Sequence, residues 1–286
     1  MANTTSLKGI FHGTDEIISA FLGLSDGETL KQKKTYRRLS LDPNGRQNFE
    51  ALIADLYGQI ERNRTDHLPS QENWRSEAQT TLNPQNRSPE VLLERAIAIL
   101  GQREILEGWF NQVPVASGLV NDSADKRAAI DLVRHRNDRA EFVELKWESD
   151  IPGFAAFEIL RYGLAYLFSY INREAFGYTN KPLMNIKEAS LRVLAPRVYY
   201  SDGDLTWLGE GLAHGIRALA AHKTDGALSM DFGFLAFPSD FDLPFEKGAE
   251  VLAMEKMPKE AVPCQILVSA MCGIEPIWNN SETETP

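Results

Sequence analysis

Ala129-Ile130-Asp131-Leu132-Val133-Arg134, a short polar link, and then Ala140-Glu141-Phe142-Val143-Glu144-Leu145-Lys146-Trp147 is the stretch on which the reading of this chain turns. Both runs have the β-branched and aromatic content of strands. Side chains alternate faces along a strand, so Ala129, Asp131 and Val133 share one face, as do Phe142, Glu144 and Lys146. If the link is a tight hairpin centred on Asn137-Asp138, antiparallel pairing sets Asp131 directly opposite Glu144. Their Cβ atoms would then lie about 4.5–5.5 Å apart, a destabilising separation for like charges unless something compensates, and a divalent cation would do so. Lys146 follows Glu144 by two residues, about 7 Å along the same face.

Two carboxylates supplemented by a backbone carbonyl such as that of Leu145, and by water, are hard oxygen ligands suited to Mg²⁺ or Mn²⁺. An amine beside them would orient or deprotonate an attacking water, which makes the set one for phosphodiester cleavage. Of the twelve lysines, only Lys146 has an acid two residues before it. The competing interpretation is a half-exposed sheet face carrying scattered charges.

Around this segment the pattern alternates helices and strands. Gly13 to Leu24 and Arg46 to Arg62 have helical apolar spacing, and 67–87 is a polar connection. Ser88-Pro89 opens a helix with an apolar stripe through Leu92, Leu93, Ala96, Ile97, Ile99 and Leu100. Strand character follows at Val113–Val120, Ala129–Arg134 and Ala140–Trp147, then a helix over Gly153–Ile171, a strand over Leu191–Tyr200, a helix over Leu205–His222 and a strand over Ala227–Phe237. The expected class is α/β with a central mixed sheet flanked by helices. The expected organisation is a helical N-terminal extension over 1–87, a core over 88–240, and a C-terminal segment over 241–286 that ends in a loose tail from Asn279 to Pro286.

The motif resembles that of the PD-(D/E)XK nuclease superfamily, which includes restriction endonucleases, junction resolvases and RecB-type nuclease domains. An apolar-flanked Asp131 is followed, after twelve intervening residues, by Glu144-Leu145-Lys146. The resemblance spans about residues 88–200, and Ile130 stands where the proline that names the motif would be. It implies a restriction-endonuclease-like core, metal binding by Asp131 and Glu144, help to the water from Lys146, and nucleic acid, with DNA favoured, as substrate. A silent module of the same fold that binds nucleic acid or protein is the alternative.

Two further elements follow from the same resemblance. Glu158 and Tyr162, four apart on the helix after the lysine strand, are similar to the Gln-x-x-x-Tyr element of RecB-type members, with Glu in place of Gln. They would contact DNA or the lysine, or else form a polar helix face with an Arg161 ion pair. Glu94, on the helix before the sheet, is the candidate for an additional catalytic acid; its helical projection away from the apolar stripe equally fits solvent exposure.

Composition narrows the partners. Apolar residues make up 43% and charged residues 24%, which is ordinary globular usage. The formal net charge of -10 disfavours a globally basic, nucleic-acid-gripping surface, so any phosphate contacts must be local. Lys31, Lys33, Lys34, Arg37 and Arg38 form one basic run, readable as a solvated face or a phosphate track. No secretory signal or membrane span is expected, because the most apolar stretch, Phe154–Ile171, contains Glu158 and Arg161. Cys264 and Cys272 lack zinc-site spacing and fit a reducing cytoplasm. A homodimer would be needed for paired cuts in duplex DNA. Asp231-Phe232-Gly233, the glycines 209, 211 and 215, and the dispersed histidines lack the company that would make them kinase, dinucleotide or metal motifs.

Overall fold

The computed structural model describes residues 9–32, 34–35, 39, 48–121 and 123–277. The tail from Asn279 lies outside these residues, as do Lys33, Arg37 and Arg38 of the basic run. Among the described residues, the helices are α1 (Thr14–Phe21), α2 (Phe49–Asn63), α3 (Pro89–Gln102), α4 (Pro152–Ile171), α5 (Thr206–Lys223), α6 (Gly248–Ala253) and α7 (Val262–Cys272). The strands are β1 (Trp109–Pro114), β2 (Ala129–Arg136), β3 (Arg139–Leu145), β4 (Glu188–Pro196), β5 (Ser229–Phe237) and β6 (Glu275–Pro276).

The six strands form one mixed sheet in sequential order. Pairing is antiparallel from β1 through β3, parallel from β3 through β5, and antiparallel again at β6. The parallel steps require crossovers, and α4 and α5 supply them. The β2–β3 hairpin has the expected register, with Leu132 opposite Val143 and Arg136 opposite Arg139. Its two-residue turn is possible because Asn137 adopts φ +54°, a left-handed conformation that asparagine tolerates well.

The sheet buries a core on each face. One contains Val133, Phe142, Leu191, Val193, Phe232 and Phe234 together with residues of α1, α2, α4 and α5. The other contains Leu132, Val143, Leu145, Leu194 and Phe237 with residues of α3, α6 and α7. The alternation of Leu132 and Val133, and of Phe142 and Val143, is therefore a partition between two cores. Helices α1 and α2, from the stretch read as an extension, pack into the same core as α4 and α5. Glycines 211 and 215 owe their place to this contact. A Cβ at Gly211 would lie 2.3 Å from the Phe49 ring, and one at Gly215 would lie 2.7 Å from Ile53 and 2.9 Å from the Phe49 carbonyl oxygen.

Some expected boundaries are corrected. The strand read at Val113–Val120 is displaced to Trp109–Pro114. Val115, Ala116, Leu119 and Val120 are buried in a loop instead, where Ser117 N–H donates to Asn73 Oδ1 at 3.0 Å and Gly118 takes φ +79°. The strand read at Leu191–Tyr200 starts earlier and ends at Pro196, after which Arg197–Tyr200 forms a 3₁₀ turn. Ser88 does occupy the N-cap of α3, with Pro89 at the first helical position, but its side chain makes no capping hydrogen bond. Among the described residues, no helix is long and apolar enough to cross a membrane.

Candidate active site

Where β2 and β3 run past their last paired residues, the side chain of Asp131 takes over the role of a backbone acceptor: its Oδ2 accepts the Leu145 N–H at 3.0 Å. One residue further on, the Lys146 N–H donates to the Leu194 carbonyl at 2.9 Å, which fixes the end of β3 against β4. Side-chain direction at 144 and 146 is thus set by the backbone on both sides. Glu144 is 4% exposed and Lys146 7%. The lysine ammonium lies 2.8 Å from Glu144 Oε1, 3.1 Å from Glu158 Oε2 and 3.9 Å from Asp150 Oδ2.

Glu158 comes from α4, so the helix after β3 does meet the lysine. Arg161, the alternative ionic partner, is turned toward α1, where it donates to Asp15 Oδ1 at 2.7 Å. Tyr162, one turn after Glu158, is half-buried, with its ring against Phe11 at a centroid distance of 5.8 Å. Burial pushes its hydroxyl pKa up, with Glu158, Glu144 and Asp131 adding to the shift.

Glu94 is 5% exposed, which overturns solvent exposure as the reason for its polar position. Three donors compensate for its burial: Asn111 Nδ2 reaches Oε1 at 2.6 Å, Gln112 Nε2 reaches Oε2 at 3.1 Å, and the neighbouring Arg95 guanidinium pairs with Oε1. Gln112 reaches it from a strand position held at φ +50°, a conformation costing a non-glycine residue on the order of 1–3 kcal/mol. Burial raises the Glu94 pKa to about 7; Arg95 opposes that rise and Asp131 reinforces it.

Burial dominates the two acids of the central group, and neighbouring charge outweighs it at the lysine. Burial raises Asp131 to about 6, only partly relieved by Lys146 and the Leu145 N–H. Burial, and then Asp131, push Glu144 well above the usual carboxylate range. For Lys146, burial favours the neutral amine, but Glu144 and Glu158 more than offset it and hold the pKa above the ordinary lysine value. Its two acidic neighbours thus favour the ammonium form, a hydrogen-bond donor. Glu144 Oε2 is left fully buried with no hydrogen-bond partner. A buried carboxylate oxygen in that state costs roughly 1–3 kcal/mol or more.

Sequence reasoning missed three contributors. Glu90 accepts the Trp147 N–H at 2.9 Å and the Ser149 hydroxyl at 2.6 Å, pinning the loop after Lys146. It lies one turn before Glu94 on α3, so helical spacing held a signal for it. Asp150 sits in that loop at φ +59°, and nothing local marks it. Tyr199, in the 3₁₀ turn after β4, has a buried hydroxyl without a partner and a pKa raised by burial; Lys146 lowers it, and Asp150, Glu90 and Glu144 raise it.

Of the residues expected to act together, Glu144, Lys146 and Glu158 form one contact network, while Asp131 is joined to it through the Leu145 N–H and through charge. Glu94 and Tyr162 are coupled to it through charge. Among the described residues, no three His, Cys, Asp or Glu side chains are gathered so as to hold a metal ion by themselves. Any ion here would take two carboxylates and complete its shell with backbone oxygen and water. The partnerless, buried Glu144 Oε2 beside Asp131 fits that donor set. No family model, no curated protein and no solved structure matches this chain, so its assignment rests on its own residues.

Proposed function

We propose that this protein is a metal-dependent phosphodiesterase, a nuclease of the PD-(D/E)XK type with a restriction-endonuclease-like core, acting on nucleic acid and most readily on DNA. One observation carries the reading. Two carboxylates with raised pKa, Asp131 and Glu144, stand close enough to act on each other electrostatically, Glu144 Oε1 pairs with the Lys146 ammonium at 2.8 Å, and the other oxygen of Glu144 is buried without a partner. A solvated or purely structural ion pair has no reason to leave that oxygen bare, since breaking or stranding buried charge costs several kcal/mol.

Asp131 and Glu144, with the Leu145 carbonyl, would hold Mg²⁺ or Mn²⁺. Bound there, the ion would neutralise charge on the phosphate and make water more acidic. The chain's own groups do the rest. Lys146, kept protonated by Glu144 and Glu158, donates a hydrogen bond to the attacking water or to a phosphate oxygen. Glu158 fixes the direction of that ammonium, and Asn111 and Gln112 hold Glu94 at the edge of the group. Glu94, with a pKa near neutrality, is suited to exchange a proton with water entering the site. Tyr162 stays a neutral donor at any ordinary pH.

The test is incubation of the purified protein with linear, branched and single-stranded DNA in Mg²⁺ or Mn²⁺, beside Asp131→Ala and Lys146→Ala. Cleavage by the wild type that both substitutions abolish supports the proposal. Cleavage that survives either one refutes the site, and binding without cleavage under every metal favours a silent module of the same fold.

A further inference from the structure

We infer that the apolar cavity beside the start of α4 receives one unpaired nucleobase next to the phosphodiester handled at Lys146. The inference rests on the phosphodiesterase reading and adds to it the form of the substrate: a single strand, or a duplex with a base displaced from its stack. The cavity measures about 230 Å³ and lies between α1, residues 24–31 and α4. That is below the roughly 300–1,000 Å³ of whole-ligand pockets and suits a single ring system.

Its walls have the chemistry that unpaired bases use. Leu24, Leu30, Phe154 and Phe157 make the apolar surface, with the Phe154 ring half-buried and so partly available for stacking. The Arg161–Asp15 pair, which joins α4 to α1, also lines the cavity and offers both a donor and an acceptor to a base edge.

The link to the reaction site is Lys31. It lines the cavity, holds its ammonium 4.0 Å from the centroid of the Phe154 ring, and approaches Asp150 Oδ1 at 3.9 Å. The other oxygen of Asp150 lies 3.9 Å from Lys146 Nζ. A single carboxylate thus spans the two ammonium groups, one at the cavity and one at the reacting phosphate. Lys31 is 57% exposed on a flexible stem, so it can leave Asp150 for a phosphate oxygen. On a chain with net charge -10, a cation set beside an apolar slot at the site is the local exception that phosphate binding needs.

The test reads binding and cleavage separately. Anisotropy of a fluorescein-labelled twelve-nucleotide oligo(dT), in chelator so that no cleavage intervenes, is compared for wild type, Phe154→Ala, Lys31→Gln and Ser19→Phe. The last substitution fills the cavity from the α1 wall and leaves the acidic site untouched. Each folded variant, checked by thermal melting, is expected to bind about tenfold more weakly, and a fully paired hairpin duplex to compete poorly. With Mg²⁺, a strand with one abasic nucleotide beside the cut is expected to be cleaved more slowly than its intact counterpart. Unchanged binding in Ser19→Phe and Phe154→Ala, equal use of abasic and intact strands, or equal binding of paired duplex would overturn the inference. Failure to cleave any substrate, with the variant-dependent binding intact, would instead sink the phosphodiesterase reading and leave the base pocket standing.

Discussion

Asp131→Asn should abolish divalent-dependent cleavage while making the metal-free protein more stable at pH 8. The amide keeps an oxygen to accept the Leu145 N–H, which Asp131 now takes at 3.0 Å, so hairpin geometry is preserved. What it removes is a carboxylate that burial raises from 3.8 to about 6 and that in turn raises both Glu144 and Glu94. Two pKa units correspond to about 3 kcal/mol, and the half-buried position of Asp131 reduces this, so a gain of about 1–3 kcal/mol is expected. The sign follows from proton counting. Between about pH 4 and pH 6 the folded state binds more protons at residue 131 than the unfolded state, so wild-type stability falls as pH rises through that window. The advantage of the amide is therefore full above pH 6 and disappears toward pH 4. Urea denaturation of both proteins in chelator at pH 5 and pH 8 measures it. Added Mg²⁺ should stabilise the wild type and leave the variant unmoved, because only a site that binds the ion shares its binding free energy with folding. A variant less stable than wild type at pH 8 in chelator, or a gap that widens on acidification, would refute the claim that this carboxylate is held at a cost.

Three other outcomes follow from the same geometry. Lys146→Met strands Glu144, whose Oε1 now lies 2.8 Å from the ammonium, and should cost about 3–5 kcal/mol at pH 8 and less at pH 5, where the raised carboxylate accepts a proton; urea titrations at the two pH values decide it. Divalent binding should release protons and tighten up to about tenfold per pH unit for each proton displaced as pH rises toward 6, and calorimetry in two buffers of different ionisation heat reads that release; no release at pH 5.5 would mean that the raised acids are not the ligands. Gly215→Ala should destabilise by about 1–3 kcal/mol in thermal denaturation, because the added methyl meets the Phe49 carbonyl oxygen at 2.9 Å and backbone yields less readily than a side chain.

Much of the core was legible because its determinants are local. Strand alternation placed Asp131 and Glu144 on one face, and a two-residue link at Asn137-Asp138 fixed the register found in the hairpin. The order of helices and strands from Pro89 to Phe237 also followed from periodicity. Where the reading slipped, periodicity had no unique meaning. The apolar run Val113–Val120 looks the same whether it is a strand or a loop folded into the core, and its burial in a loop is decided by Asn73, forty-four residues before Ser117 in the chain. Helix α7 and strand β6 lie in a stretch read only as a C-terminal segment, since α7 buries Cys264 and Leu267 without a clean polar face.

Local spacing in the chain was enough for the α/β class, the hairpin register and the placing of Asp131, Glu144 and Lys146 on one face of the sheet, because a turn of fixed length and a repeat of two residues act over fewer than twenty positions. Packing between distant elements is what brings Glu158 to Lys146, buries Glu94 among donors, sets Asp150 between Lys146 and Lys31, and leaves one oxygen of Glu144 without a partner. These depend on how α1, α3 and α4 settle on the two faces of the sheet. That settling is driven by burial of apolar area, a force without direction that no short spacing in the chain records.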